Sequence, residues 1–238
     1  IMKRVWEIFP ALTSAVKLSH LKLPWPMLYC HDFDHVLRVG DRALSIAEDE
    51  ISGRLAAAAG LCHNADRILQ KQAGSGRNGK VTDISVVEMV DHWLNAEPAG
   101  TFSDSDRELM ADAVLNHWKR NDPKDGLVQI TLQDADRTVN IELDVVIRKG
   151  QFFGDDLCVV DPVHLLNDPL ASYVAPGSIL WSIKDDIECF GAENGVASLR
   201  LPKARQFAKP LLDDARQYLD MVLRQRERSG LIPYPVIS

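Results

Sequence analysis

The chain is poor in cysteine: four in 238 residues, Cys30, Cys62, Cys158 and Cys189, widely spaced and without a CxxC pair. That spacing predicts reduced, mostly buried thiols rather than disulfides, and with them a cytoplasmic location. Long apolar runs are missing too. No stretch of about 18 apolar residues occurs, so no membrane-spanning helix is expected. The first ten residues carry Lys3 and Arg4 but no long apolar core and no cleavage-like site, so no signal peptide is expected. There is no fixed-period repeat, no low-complexity tract and no clear linker. Positive charge is in deficit, with 27 Lys and Arg against 34 Asp and Glu, a formal net charge of −7. This balance argues against a nucleic-acid coat or an anionic membrane surface as the main partner, while leaving room for a local basic pocket.

What is present is ordinary for a soluble globular protein, with 46% apolar and 26% charged residues. At roughly 150 residues per domain, the length predicts one large domain or one with an appendage. A chain of this size buries a full core without staples. We expect residues 1–150 to form a helical core and residues 151–238 an irregular segment and helices packed on that same core.

Most segments read as helix. Asp34 to Glu50 places Val36, Val39, Gly40, Ala43, Ile46 and Ala47 at helical spacing. LAAAAGLC (Leu55 to Cys62) is apolar all round, the mark of a core element, and continues into HNADRIL. Gln72 to Lys80 reads as a loop. Thr82 or Asp83 caps a helix to about Asn95, with Val86, Val90, Trp93 and Leu94 inward. Ser103 to Arg120 is another, its apolar face being Leu109, Met110, Ala113, Val114 and Trp118. Asn121 to Gly126 is a turn. Val128 to Ile147 reads as one long helix. Lys149 to Gly177 looks irregular, Ile179 to Phe190 helical, and Lys203 to Arg226 a long amphipathic helix in which Pro210 marks a kink or the true start. The fold class expected is all-α.

Four polar residues fall on inward stripes. His35 shares its face with Val39, Arg42 and Ile46. His63 follows the most buried helix and shares a face with Ala56, Ala59 and Asp66. His117 lies with Leu109, Met110, Ala113 and Val114. Asp136 lies with Leu132, Val139 and Leu143. A carboxylate on an apolar stripe is costly unless it is paired or bound to a cation. Three histidines and an aspartate on inner helix faces can converge at the centre of a bundle, where helical folds place metal sites. Taken singly, each histidine has the plainer reading of a hydrogen-bonded core residue, and Asp136 that of a partner for an arginine.

In order and local wording these residues resemble the HD-domain superfamily of metal-dependent phosphohydrolases. The family's first His matches His35 in HDFDHVLRVGDRA. Its His-Asp doublet matches His63 and Asn64 in AAAAGLCHNADRIL, its distant Asp matches Asp136 in LQDADR, and an additional His matches His117. The resemblance covers about residues 30 to 145 and implies an HD-like helical bundle with a C-terminal helical extension. KARQFAKPLLDDARQYLDMVL is loosely similar to the closing helix of some bacterial members. It further implies a metal site of His35, His63, Asn64 and Asp136 holding one or two divalent ions (Mn, Fe, Co, Ni or Zn). The substrate implied is a nucleotide or other small phosphate ester. Asp66 or His117 would manage the proton, and Arg38, Arg42, Arg67, Lys80 and Arg137 would meet the phosphate.

The departure is Asn64, where the family has an Asp that bridges two ions. Asn offers only a neutral carbonyl oxygen, which weakens hard cations most and leaves a two-His, one-carboxylate set suited to one transition-metal ion. Three accounts stay open: an active mononuclear site, a binding site without catalysis, or an introduced substitution. The rival functions are a non-catalytic module that binds a nucleotide or a metal, and an iron oxygenase on the same scaffold. Other signals are discounted. GSGRNGK (Gly74 to Lys80) fits a P-loop pattern but lacks its Ser or Thr and follows a helix, not a strand. His31, Asp32 and Asp34 read as helix capping or supporting contacts, His92 as packing beside Trp93, and RQRERSG as a solvated helix end. His20 and His164 have no supporting context.

Overall fold

The computed structural model describes residues 3–23, 31–74, 81–154, 156–172 and 175–232. Among these residues the fold is all-α, with eleven helices and no strand. The chain divides into two compact units: Ile1–Val139 with Arg200–Ala204, and Asn140–Leu199 with Arg205–Ser238.

The first unit holds α1 (Val5–Ile8), α2 (Pro10–Leu21), α3 (Phe33–Ile46), α4 (Glu50–Cys62), α5 (Ala65–Gln72), α6 (Asp83–Leu94), α7 (Asp104–Asn116) and α8 (Leu127–Val139). The small-apolar run does what its composition demands: every residue of α4 from Leu55 to Cys62 is buried. Around it pack α3, α8 and α7. Small residues set the closeness of the α3–α4 crossing. A Cβ on Gly60 would lie 3.1 Å from the Gly40 nitrogen and 3.2 Å from its Cα. Polar caps begin the helices. The side chains of Asp32, Asp49, Thr82 and Ser103 accept from the backbone N–H groups of His35, Ser52, Ser85 and Asp106.

Several predicted boundaries shift. The helix begun at Asp34 stops at Ile46 instead of running to Glu50, because Asp49 caps the next helix through Ser52 N–H at 2.8 Å. HNADRIL does not continue α4: the chain turns at His63 and Asn64, and ADRIL begins α5. The Ser103 helix ends at Asn116, and Leu109 and Trp118 are 50% and 57% exposed, not inward. The long helix predicted from Val128 to Ile147 is two: α8 ends at Val139 and α9 begins at Val145. Its Thr138-Val139-Asn140-Ile141 run combines β-branched residues with an Asn that competes for backbone bonds. Leu143, predicted on the inner face of Asp136, is 52% exposed.

The second unit holds α9 (Val145–Phe153), α10 (Ile179–Gly191) and most of α11 (Pro202–Arg228). Lys149 Nζ ties α9 to α10 through Asp186 Oδ2 and Ser182 Oγ, both at 2.7 Å. Between these helices the described chain is irregular, with two isolated bridges, Asp161 to Leu165 and Ser172 to Ala175. Pro210 lies inside α11 and is not its start. Of the described cysteines, all unpaired, Cys62 is buried, Cys189 half-buried and Cys158 exposed, so mostly buried thiols is too broad an expectation; Cys30 lies outside the described residues. No described helix is long and apolar enough to cross a membrane.

Candidate functional site

Four helices of the first unit deliver the site. His35 sits in the first turn of α3, where Asp32 holds its backbone N–H at 2.9 Å. Asp136 comes from α8. His63 and His117 each stand at the residue just past a helix end, α4 and α7, and each ring folds back on its own last turn. His63 Nδ1 donates to Gly60 O and His117 Nδ1 to Val114 O, both at 2.6 Å. In both rings Nδ1 therefore carries a proton, and the Nε2 edge is left facing the site.

The ligand-type atoms of His35, His63 and Asp136 lie within 4.8 Å of one another. His35 Nε2 is 3.2 Å and His63 Nε2 3.8 Å from Asp136 Oδ1. The rings of His35 and His63 are 5.0 Å apart, and those of His63 and His117 are 5.3 Å apart. The two histidine side chains are 2% and 1% exposed and that of Asp136 18%. Burial, only partly opposed by Asp136 and reinforced by the rings of His35 and His117, pushes His63 down to about 3, so it is a neutral imidazole. Burial also works to raise Asp136. It is outweighed by the hydrogen bond from His35 and the imidazoles of His63, His35 and His117, and the carboxyl is held below its ordinary range. His31 is held well below the ordinary imidazole range by desolvation, then by Arg67, His35 and His63.

The donor set fits a cation. The buried His63 Nε2 has no hydrogen-bond partner, and its lone pair faces an ionised carboxylate oxygen. Two lone pairs turned toward each other in a nearly dry site repel unless a positive charge lies between them. A two-His, one-carboxylate face is also the set that transition metals accept.

Beside this cluster opens a cleft of about 800 Å³, lined by His63 and His117 and by Asp66, Arg67, Gln70, Val86, Asp112, Trp118 and Lys119, among others. Of the residues expected from sequence, it therefore brings together His63, His117, Asp66 and Arg67. Asp66 Oδ2 stands 3.5 Å from Arg67 Nε. Asn64 is 2% exposed and its Nδ2 donates to His31 O at 3.0 Å, a bond that does not involve Oδ1, the atom the resemblance implies as a ligand. Others go elsewhere. Arg38 pairs with Asp34 at 2.8 Å, and neither Arg38 nor Arg42 lines the cleft. Arg137 is 3% exposed, donates to Asn121 Oδ1 and Lys119 O, and does not line the cleft either. Lys80 lies outside the described residues, as does most of GSGRNGK. Sequence reasoning passed over Asp83, Asp112, Trp118 and Lys119, which also line the cleft. The available signal was position, since Trp118 and Lys119 directly follow His117 and Asp112 lies on the turn before it. His92, expected to pack beside Trp93, is exposed. His164, in the second unit, lies 3.5 Å from Asp161 and 3.9 Å from Asp168.

Searches of known protein-family profiles and of curated proteins find no match. The fold is similar to that of a Lactobacillus plantarum protein whose crystal structure was solved as a structural-genomics target. The TM-score is 0.62 at 16% identity, over 91% of this chain and 97% of that one. At that identity the likeness is one of fold.

Proposed function

We propose that the chain is an HD-type, metal-dependent phosphohydrolase acting on a nucleotide or another small phosphate ester. The observation that carries this reading is the unpartnered, buried His63 Nε2 facing Asp136 Oδ1 at 3.8 Å, at the edge of a cleft that also holds Arg67 and Lys119. His35, His63 and Asp136 would hold one transition-metal ion, of the Mn, Fe, Co, Ni or Zn group. Such an ion, when bound, supplies a water acidified to near-neutral pH and polarises a phosphoryl oxygen.

The chain's own residues would do the rest. Arg67 and Lys119 bind the phosphate oxygens, the guanidinium as a fork and the ammonium as a point charge. His117, its Nδ1 committed to Val114 O, presents Nε2 as the atom that takes or returns a proton, and Asp66 is the alternative carrier. We place the protein in the cytoplasm, with a small phosphorylated molecule and not nucleic acid as its partner.

The test is to purify the protein, measure its metal content, and screen nucleotides and generic phosphate esters with Mn²⁺, Co²⁺ or Ni²⁺ added. Bound metal and turnover are expected; no metal and no turnover would refute the proposal. One observation favours a second reading, a module that binds without turnover. The side chain at position 64, where the resemblance calls for a metal-bridging carboxylate, is engaged with the His31 carbonyl. That reading predicts thermal stabilisation by a nucleotide with no product formed. Turnover abolished by His63→Ala excludes it.

A further inference from the structure

Arg137 reads from sequence as a phosphate contact, yet it is buried, and its guanidinium is spent on protein. Nη1 donates to Asn121 Oδ1 at 2.6 Å, Nη2 donates to Lys119 O at 3.2 Å, and Asp134 Oδ1 lies 3.9 Å from Nη1. One turn earlier on α8, Gln133, also fully buried, works on the same target. Its Nε2 donates to Asn116 O at 3.0 Å and lies 3.4 Å from Lys119 O, while its Oε1 accepts from Arg200. Arg200 is itself held to Asp125 at 2.7 Å.

These bonds meet at one place. Residues 116–121 follow the end of α7, where the last carbonyls have no helical partner of their own. In this segment the Lys119 carbonyl is caught by Arg137 at 3.2 Å, with Gln133 Nε2 at 3.4 Å. The same short segment carries His117, Trp118 and Lys119 into the cleft. The bonds from Lys119 N–H to Asn116 O at 3.0 Å and from His117 Nδ1 to Val114 O at 2.6 Å are local, whereas the α8 donors tie the segment to another helix, and a Lys side chain on a loose segment gives little orientation to an anion.

We propose that Arg137, supported by Gln133, is a positioning residue: it holds the Asn116–Asn121 segment so that His117 and Lys119 face the cleft where the phosphate binds. The inference rests on the phosphohydrolase reading for the identity of the ligand, but not for the anchoring itself. Arg137→Lys keeps a cation beside Asp134 but cannot span Lys119 O and Asn121 Oδ1 together.

The experiment has two arms on the full chain. In the first, backbone hydrogen exchange is measured by mass spectrometry. Arg137→Lys should speed exchange across residues 116–121 by at least tenfold while α4 and the rest of α8 keep their protection. Unchanged exchange at 116–121, or a rise spread evenly over α8, overturns the proposal whether or not the chain turns over any ester. In the second, the phosphate ester found in the metal screen, or inorganic phosphate binding if no ester is turned over, reports on the cleft. Arg137→Lys should raise KM or Kd about tenfold and, because His117 rides on the same segment, lower kcat as well, with metal content little changed. Lys119→Ala should raise KM or Kd by a similar factor, and the double variant should bind no worse than the weaker-binding single, as two changes acting through one contact must. Additive losses, or metal lost from Arg137→Lys, overturn the positioning role. A wild-type chain that binds neither ester nor phosphate refutes the function while leaving the exchange result to decide the anchor.

Discussion

Asn64→Asp is the most informative single change, because it restores the doublet of the resembling family and breaks a bond of this protein. The Asn64 amide donates to the His31 carbonyl at 3.0 Å from a side chain that is 2% exposed. A carboxylate has no hydrogen to give, so the change removes a donor and sets a charged oxygen against a carbonyl oxygen. The lost buried bond costs roughly 1–3 kcal/mol. Burying a second carboxylate at the position beside His63 adds to this until it protonates or meets a cation. We therefore expect the metal-free variant to lose about 3 kcal/mol. For a chain of this size a melting point moves about 2–4 °C per kcal/mol, giving a drop of about 6–12 °C. Metal reverses the order. A ligand at about 1,000 times its Kd stabilises by roughly 4 kcal/mol, and a carboxylate at position 64 strengthens the site further. With Mn²⁺ in excess the variant should recover most of its deficit, and the shift on adding Mn²⁺ should be larger than in the parent chain. The assay is paired thermal melts in chelator and in Mn²⁺. Equal melting points in chelator would show that the Asn64–His31 bond carries no weight. Equal shifts in Mn²⁺ would show that position 64 does not reach the ion. Turnover of a phosphate ester should rise in the variant if the site works best with two ions.

Three further outcomes are expected. Gly60→Ala, a change that normally favours a helix, should cost about 1–3 kcal/mol in urea, because its Cβ meets backbone atoms of Gly40 at 3.1 and 3.2 Å; a stabilised variant would disprove the close α3–α4 crossing. For metal-free protein, burial holds His63 down to about 3 when folded, against the ordinary imidazole value of 6.5. The unfolded chain therefore binds more protons across that range, so stability is complete above about pH 6.5 and is lost as pH falls toward 3. The downward shift of Asp136 acts in the same direction at the acid end. Urea midpoints should fall steadily from pH 7.5 to 4.5 and more gently in His63→Gln; a flat profile would contradict a neutral, buried His63. Finally, Asp66→Asn and His117→Gln should keep the parent metal content, and the one that carries the proton should lose about 10²–10⁴ in kcat. Two variants with unchanged kcat would remove both from the chemistry.

Much of the core was legible because it rests on local rules. The LAAAAGLC run is buried on every side, and Asp32, Thr82 and Ser103 cap the helices that their side-chain oxygens predict. The cluster was legible in part. His35, His63 and Asp136 stood out as polar residues on apolar stripes, and the fold brings them within ligand distance. His117 also joins, although its supposed inward neighbour Leu109 is half exposed. The charged residues were legible in part: Asp66 and Arg67 line the cleft, whereas Arg38, Arg42 and Arg137 do not. A sequence places Arg38, Arg67 and Arg137 equally near the motifs. Which of them meets solvent, cleft or core depends on partners such as Asp34 and Asn121, and on which helix covers them. The break between α8 and α9 was missed because apolar periodicity runs straight through it.

By itself, then, the sequence determined an all-α chain, a buried α4, the polar caps, and three metal-type side chains aimed inward, since each follows from periodicity or from chemistry within a few residues. Only the tertiary structure decided that His63 Nε2 faces Asp136 with no other partner, that the amide of Asn64 serves the His31 carbonyl, and that the Arg137 guanidinium donates to Asn121 Oδ1 and Lys119 O. Those facts join residues 16 to 73 positions apart. Their energies come from burial and from pairing across helices, which no local pattern encodes.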